Sequence, residues 1–291
     1  MTASTSNSLK PTATPASTRA ELAQRSARGY TVVRNSFVQV RVGNKWVGSK
    51  LGRLVEARQP RALRAYLLML MVHSTLENRS IPLEAGVWAR ALSPAPPAAA
   101  WSPAAMTRVW SALEGHNLIS RERKARLVQV VPRREDGRQP YTRPRPDQLS
   151  SVGERYFIIP DCFWIDGWHE QLSMPGIAVL LILIHDTSAR DEVRLPYDRI
   201  QDWYGISAKT LQNGLADLRR HGLLHERHEW VVENLSAIGR TQRQYYSPTG
   251  PFSPAERKKL QVVALMATRK RVARQLPPAR RVLARNPTGA G

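Results

Sequence analysis

The sequence predicts a mainly helical α+β fold in which one small unit, three helices closed by a β-hairpin, occurs twice in tandem. Three observations lead there. Residues 66–92 (YLLMLMVHSTLENRSIPLEAGVWARAL) match residues 180–206 (LLILIHDTSARDEVRLPYDRIQDWYGI), and residues 102–120 (SPAAMTRVWSALEGHNLIS) match residues 207–225 (SAKTLQNGLADLRRHGLLH). Self-similarity of this length marks two copies of one structural unit. Each copy also carries helix caps, apolar registers and stop residues at corresponding places. Finally, the net charge of +21 is concentrated in segments around the copies.

Taken in order, residues 1–25 are rich in Ser, Thr, Ala and Pro and are expected to form a disordered arm. They lack a hydrophobic signal core and are only faintly similar to an organelle transit peptide. Residues 26–60 form a basic extension that alternates over 30–42, which predicts one or two short strands with a turn at 43–44. The first unit spans 61–131. A Pro- and Arg-rich linker covers 132–154. The second unit spans 155–252 and opens on the extended YFIIP. Ser253 and Pro254 start a basic helix over 253–276, and residues 277–291 are expected to be a disordered tail.

In the second unit, residues 175–187 predict an apolar helix and 195–205 a short one, with Pro196 in its first turn and Gly205 closing it. Ser207 caps a third helix. Leu211, Leu215 and Leu218 share its buried face, which leaves Lys209, Thr210, Gln212, Asn213 and Arg219 opposite. Gly222 ends the helix. Leu223 and Leu224 begin a strand, and 229–233 and 243–247 supply more strand around a loop holding Arg240. The first unit keeps this grammar. Ser102 caps, Pro103 takes the first helical position, and Met106, Trp110 and Leu113 occupy the apolar register. Asn117 stands where Gly222 stood, as the other residue that tolerates a left-handed backbone. RERKAR at 121–126 is a basic turn before the strand LVQVV.

Helix, helix–turn–helix and hairpin, in that order, spell a winged helix. SAKTLQNGLADLRRHGLL after LPYDRIQDWYGI resembles the helix–turn–helix of the winged-helix superfamily. The stretch from YFIIPDCFWIDGWHEQLSMPGIAVLLILIHD to YYSPTGPF resembles winged-helix proteins of actinobacterial chromosomes and mobile elements. The tandem arrangement is similar to the theta-type replication initiators of bacterial plasmids, which are built from two winged helices. The resemblance covers roughly two thirds of the chain. It implies two winged-helix domains and major-groove reading by both third helices. Two features depart from the pattern: the second unit is net acidic, and the nine-residue insertion SPAPPAAAW at 93–101 interrupts the first helix–turn–helix.

The candidate DNA contacts follow. In a helix–turn–helix the exposed N-terminal half of the third helix enters the major groove. This selects Ser207, Lys209, Thr210, Gln212, Asn213 and Arg219 in the second unit, and Ser102, Thr107, Arg108 and Ser111 in the first. Gln and Asn are the types that pair bidentately with adenine. On the wings, Arg121, Arg123, Lys124 and Arg126 suit phosphate or minor-groove contact, with Arg240 and Arg243 a weaker set. In the tail, Lys258, Lys259, Arg269, Lys270 and Arg271, with Arg257 and Arg274, lie on a basic amphipathic helix beside Leu260, Val263, Leu265 and Met266. Phosphate is the first expectation for that helix, with an anionic membrane or a protein partner as alternatives. The plain alternative for all three groups is a solvated surface.

Charge placement points the same way. Residues 10–64 are net +10, 121–145 net +6 and 254–291 net +9, while 151–250 are net −3. Basic flanks around a globular reader suit the phosphate backbone. Arginine outnumbers lysine 36 to 8, which favours planar phosphate and guanine contacts, or equally reflects GC-rich codons. Other classes find no support. A single cysteine, Cys162, excludes an internal disulfide framework and fits a reducing compartment. No apolar run reaches the ~20 residues of a membrane span. There is no P-loop or dinucleotide fingerprint. His221, His225 and His228 have poor metal-ligand spacing, and Cys162 and His169 lack a third partner. Trp88, Trp101, Trp110, Trp164, Trp168, Trp203 and Tyr204 read as core packing. The expectation is a cytoplasmic, nucleoid-associated, non-enzymatic protein that binds double-stranded DNA, with no metal or cofactor. It would be a transcription regulator or a plasmid or mobile-element replication initiator, with self-association or replication and transcription proteins as further partners. A protein–protein adaptor is the alternative from another class, and RNA binding a weaker third.

Overall fold

The computed structural model describes residues 12–26, 28–73, 83–94, 100–124, 127–144 and 152–275. Of these residues, 52% are helical and 19% are strand, and the strands form two-stranded antiparallel sheets. One order of elements occurs twice. In the first pass it is α3 (Pro60–His73), α4 (Ala85–Leu92), α5 (Pro103–Gly115) and the hairpin β4 (Ile119–Lys124) with β5 (Leu127–Pro132). In the second it is α8 (Met174–Asp186), α9 (Ile200–Tyr204), α10 (Ala208–Arg220) and the hairpin β7 (Leu224–Val232) with β8 (Arg240–Pro248). The helix α9 is shorter than the sequence suggests. Pro196 lies ahead of it in a turn closed by the Arg199 N–H to the Pro196 carbonyl, 3.0 Å.

The stops match as well. Asn117 and Gly222 both take a positive φ, 57° and 67°. The following amides, Leu118 and Leu223, each donate to the carbonyl five residues back, at 2.9 Å in both units. A left-handed residue with this bond ends a helix by pairing carbonyls the helix cannot. The ion pairs match with their signs exchanged. Glu114 on α5 holds Arg121 on β4, and Arg219 on α10 holds Glu226 on β7 at 2.6 Å.

The segments around the units are where the sequence-based picture changes. Residues 1–11 lie outside the described residues, but α1 (Pro15–Ser26) is a helix within the expected disordered arm. Thr18, Arg19, Leu22, Ala23 and Ser26 form its buried stripe. Arg19 is 4% exposed and donates to the Ala91 and Ser93 carbonyls at 3.1 Å, with Glu170 at 3.1 Å as its ion partner. Packing and these bonds offset the weak local signal of a Ser/Thr/Ala segment.

The extension then contributes β1 (Tyr30–Arg34), a hairpin of β2 (Val40–Val42) and β3 (Lys45–Val47), and α2 (Lys50–Glu56). Gly43, at φ 60°, turns the hairpin where expected. The partner of β1 is remote. It pairs antiparallel with β6 (Tyr156–Pro160), from Tyr30 opposite Pro160 to Arg34 opposite Tyr156. Two short helices, α6 (Cys162–Ile165) and α7 (Trp168–Gln171), lead from β6 to α8.

Residues 132–154 do not serve as a free linker across their described part. Arg34 is 1% exposed and Glu135 is fully buried. The Arg34 side chain donates to Glu135 (3.1 Å), Glu154 (3.1 Å) and Thr142 (3.2 Å), and its backbone N–H donates to Glu135 at 3.0 Å. Burial raises the Glu135 carboxyl above its usual range, against the pull of Arg34. A charged pair buried this deeply is held by several bonds from Nη1, Nη2 and the Arg34 backbone N–H, which tie β1, the 133–144 segment and the approach to β6 together.

One hydrophobic core runs through both units, with α3 and α8 at its centre. Small residues allow the closest approaches. A Cβ on Gly214 of α10 would lie 2.4 Å from Val179 Cγ2 of α8, and one on Gly176 would lie 2.2 Å from Asp217 Oδ2. Asp217 is buried and accepts from the Ser173 N–H (2.8 Å) and hydroxyl (2.7 Å), tying the start of α8 to α10. The last helix, α11 (Pro254–Gln275), lays Leu260 and Ala264 on Tyr30, Val32 and Ile158 of the β1–β6 sheet.

Candidate nucleic-acid interface

The third helix of each unit begins at a serine cap. Ser207 Oγ accepts from the Thr210 N–H at 3.1 Å, and Ser102 Oγ accepts from the Ala105 N–H at 3.1 Å. Both serines are exposed but committed to the helix end, where free N–H groups and the helix dipole favour a phosphate. Thr210 is half-buried, and its hydroxyl faces Ser207 Oγ at 3.0 Å. Leu211, Leu215 and Leu218 are buried on one side of α10; Lys209, Gln212 and Asn213 are exposed on the other. On α5, Met106, Trp110 and Leu113 are buried, and Thr107, Arg108 and Ser111 are exposed. No described residue covers either polar face. Arg219 is also exposed, but Glu226 holds its guanidinium through Nε (3.1 Å) and Nη2 (2.6 Å).

The start of α2 touches the surroundings of both third helices. Its N-cap Ser49 donates to the Tyr204 carbonyl at 3.3 Å, at the turn that leads into α10. There Gly52 presses so close that a Cβ would sit 2.5 Å from the Tyr204 oxygen. Lys50 reaches the other way and donates to the His116 carbonyl at the end of α5, 2.6 Å away. Burial and the neighbouring Arg53 lower the Lys50 pKa.

The hairpins carry less free charge than their composition suggests. Arg121 is held by Glu114. Backbone at Arg123 and Lys124 lies in β4, and Arg126 lies outside the described residues. Arg240 stacks over the exposed Trp230 ring at 4.8 Å, and Arg243 stands opposite Glu229. Beyond them the β7–β8 tip leaves Leu235 and Ile238 96% and 68% exposed.

On α11, Lys258, Arg269, Lys270 and Arg271 are exposed, and Lys259 pairs with Glu256 at 2.6 Å. Arg257 is not a surface cation. It is 4% exposed and donates to the Phe252, Ile184 and Thr187 carbonyls at 3.0–3.1 Å and to Thr187 Oγ1 at 2.7 Å. Desolvation pushes it down to about 10. The expected amphipathic pattern also differs, since Val263, Leu265 and Met266 are exposed and Leu260 is half-buried.

Two further arginines lie beside α5. Arg58 and Arg61 line a shallow hollow with Arg108, and none of the three has an ion partner among the described residues. They lie some fifty residues from Arg108, in the turn before α3 and in its first turn, so no local pattern could have grouped them. Among the described residues no group of three His, Cys, Asp or Glu is placed to hold a metal, and no helix is long and apolar enough to cross a membrane. No family model, curated protein or solved structure matches the chain.

Proposed function

We propose that the chain is a sequence-specific double-stranded DNA-binding protein built on two winged helices, each presenting its third helix to the major groove. One observation carries the reading: the same helix–helix–helix–hairpin unit occurs twice, and in both the third helix starts at a serine cap and leaves a polar face uncovered. Gln212 and Asn213 are suited to adenine edges, Lys209 and Arg108 to phosphate or guanine. Arg58 and Arg61 extend the phosphate track beside α5, and the α11 cations extend it further. Successive major grooves face one side of a duplex every ~10 bp, which suits two readers held in one body. The role would be transcription regulation or initiation of plasmid or mobile-element replication.

The test is selection of bound sites from random duplex DNA by the full chain, followed by binding across a salt series. Affinity should fall by orders of magnitude from low to moderate salt, and enriched sites should contain two blocks about one turn apart. Gln212→Ala with Asn213→Ala should flatten the preference at one block, by about 1–3 kcal/mol per lost base contact. Arg58→Ala with Arg61→Ala should weaken all sequences alike. Absence of any enriched site rejects sequence-specific reading.

A protein–protein adaptor is the second reading. The net −3 of residues 151–250 and the apolar β7–β8 tip favour it. It requires that the chain leave no footprint on duplex DNA at low salt.

A further inference from the structure

The β1–β6 sheet has two strands, and its hydrogen-bonding alternation shows which groups remain open. The Asn35 N–H donates to the Arg155 carbonyl at 2.9 Å, and the Asp161 N–H donates to the Gly29 carbonyl at 2.9 Å. Bonded pairs alternate along an antiparallel ladder, so Phe157 and Ile159 also turn their backbone groups toward β1. Tyr156 and Ile158 therefore turn theirs to the far edge. No described residue bonds to the N–H or C=O of either.

That edge forms the floor of a groove of about 650 Å³. Phe157 and Ile159 side chains point to the main core on one face of the sheet, while Ile158 packs under α11 on the other. The walls come from those two sides: residues 187–191 after α8, and residues 254–261 of α11. Arg257 clamps the walls together, since it sits on α11 and binds the Ile184 and Thr187 carbonyls at the end of α8. Arg190 and Lys258 stand exposed at the rim with no ion partner among the described residues, and Asp191 is the one acid in the lining. A slot with an unpaired strand edge at its base, walled on both faces, has room for one more strand. Such an edge binds extended peptides through main-chain bonds, with alternate side chains read by the walls.

We infer that this groove is a docking site for an extended segment of a partner protein, added as a third strand beside β6 and carrying an acidic residue for Arg190 and Lys258. This site lies apart from α5 and α10; it shares Lys258 with the α11 cations, but peptide binding is read without DNA and does not rest on the DNA reading.

The probe is a displayed library of random heptapeptides, selected on the full chain. Enriched peptides should alternate apolar residues with at least one acid. A synthetic copy should slow hydrogen exchange at the Tyr156 and Ile158 amides. Tyr156→Pro deletes one outward N–H at the first position of a strand, where proline is tolerated. It should weaken peptide binding at least tenfold. Arg190→Glu with Lys258→Glu changes two exposed side chains and should do the same without altering thermal unfolding. The proposal is overturned if no peptide is enriched, or if enriched peptides leave both amides unprotected. It is equally overturned if they bind the charge-reversed chain as tightly as the parent.

Discussion

Glu114 and Arg121 stand where Arg219 and Glu226 stand in the other unit, so one helix-to-strand ion pair occurs in both polarities. Position and geometry are kept while sign is free, as expected where the pair only has to be complementary. Glu114→Arg alone should cost roughly 0.5 kcal/mol, because both partners are substantially exposed and water screens them. Adding Arg121→Glu should restore the loss. Urea unfolding of the two single variants and the double closes this cycle, and simple additivity would show that the pair does not couple. Individual residues also show where charge misleads. Arg19, Arg34 and Arg257 look like any other basic residue in the sequence, yet each is buried against carbonyls or carboxylates. Nothing in their neighbours separates them from Lys209 or Arg108, because the deciding partners lie far away in the chain.

At the scale of elements, helix ends and faces were legible and tertiary partners were not. Caps at Ser102 and Ser207, stops at Asn117 and Gly222, and the apolar registers of α5 and α10 are local, so spacing alone locates them. The polar faces of the candidate readers follow from the same registers. The pairing of β1 with β6, the packing of α1 and the position of α2 depend on contacts between residues 72 to 155 apart in sequence, which leave no periodic trace. The α8–α10 crossing shows how tightly such contacts are built. Gly214→Ala would place a methyl 2.5 Å from the Pro175 carbonyl as well as against Val179. It is expected to destabilise the chain by about 1–3 kcal/mol through overpacking, although alanine favours a helix over glycine. A melting temperature at or above the parent value would contradict the crossing geometry.

For the whole molecule, two buried groups shape stability against pH in opposite directions. Asp161 is 5% exposed and accepts a bond from Ser26 Oγ; burial raises its carboxyl from 3.8 to about 6. Its contribution is complete below about pH 4 and is lost as pH rises through 6. His169 is fully buried, and desolvation, aided by Arg19, lowers it from 6.5 to about 3. Its contribution is present above pH 6.5 and is lost as pH falls toward 3. Asp161→Asn removes the first effect alone. The variant should gain on the parent steadily between pH 4 and 6 and level off above, a change on the order of 3 kcal/mol relative to their difference at low pH. Unfolding free energies measured across that range test this, and parallel curves for variant and parent would rule it out.

The brace formed by α2 has a consequence for target choice. Tandem readers joined by a loose tether tolerate variable gaps, because the tether absorbs the difference. Here Ser49 and Lys50, neighbours at the start of α2, tie the turn before α10 and the end of α5 to one point, above a shared interior. If the chain reads DNA as proposed, such a molecule would work as a fixed gauge. Shifting one block by about half a turn, ~5 bp, would swing it to the far side of the duplex, where the second head cannot follow.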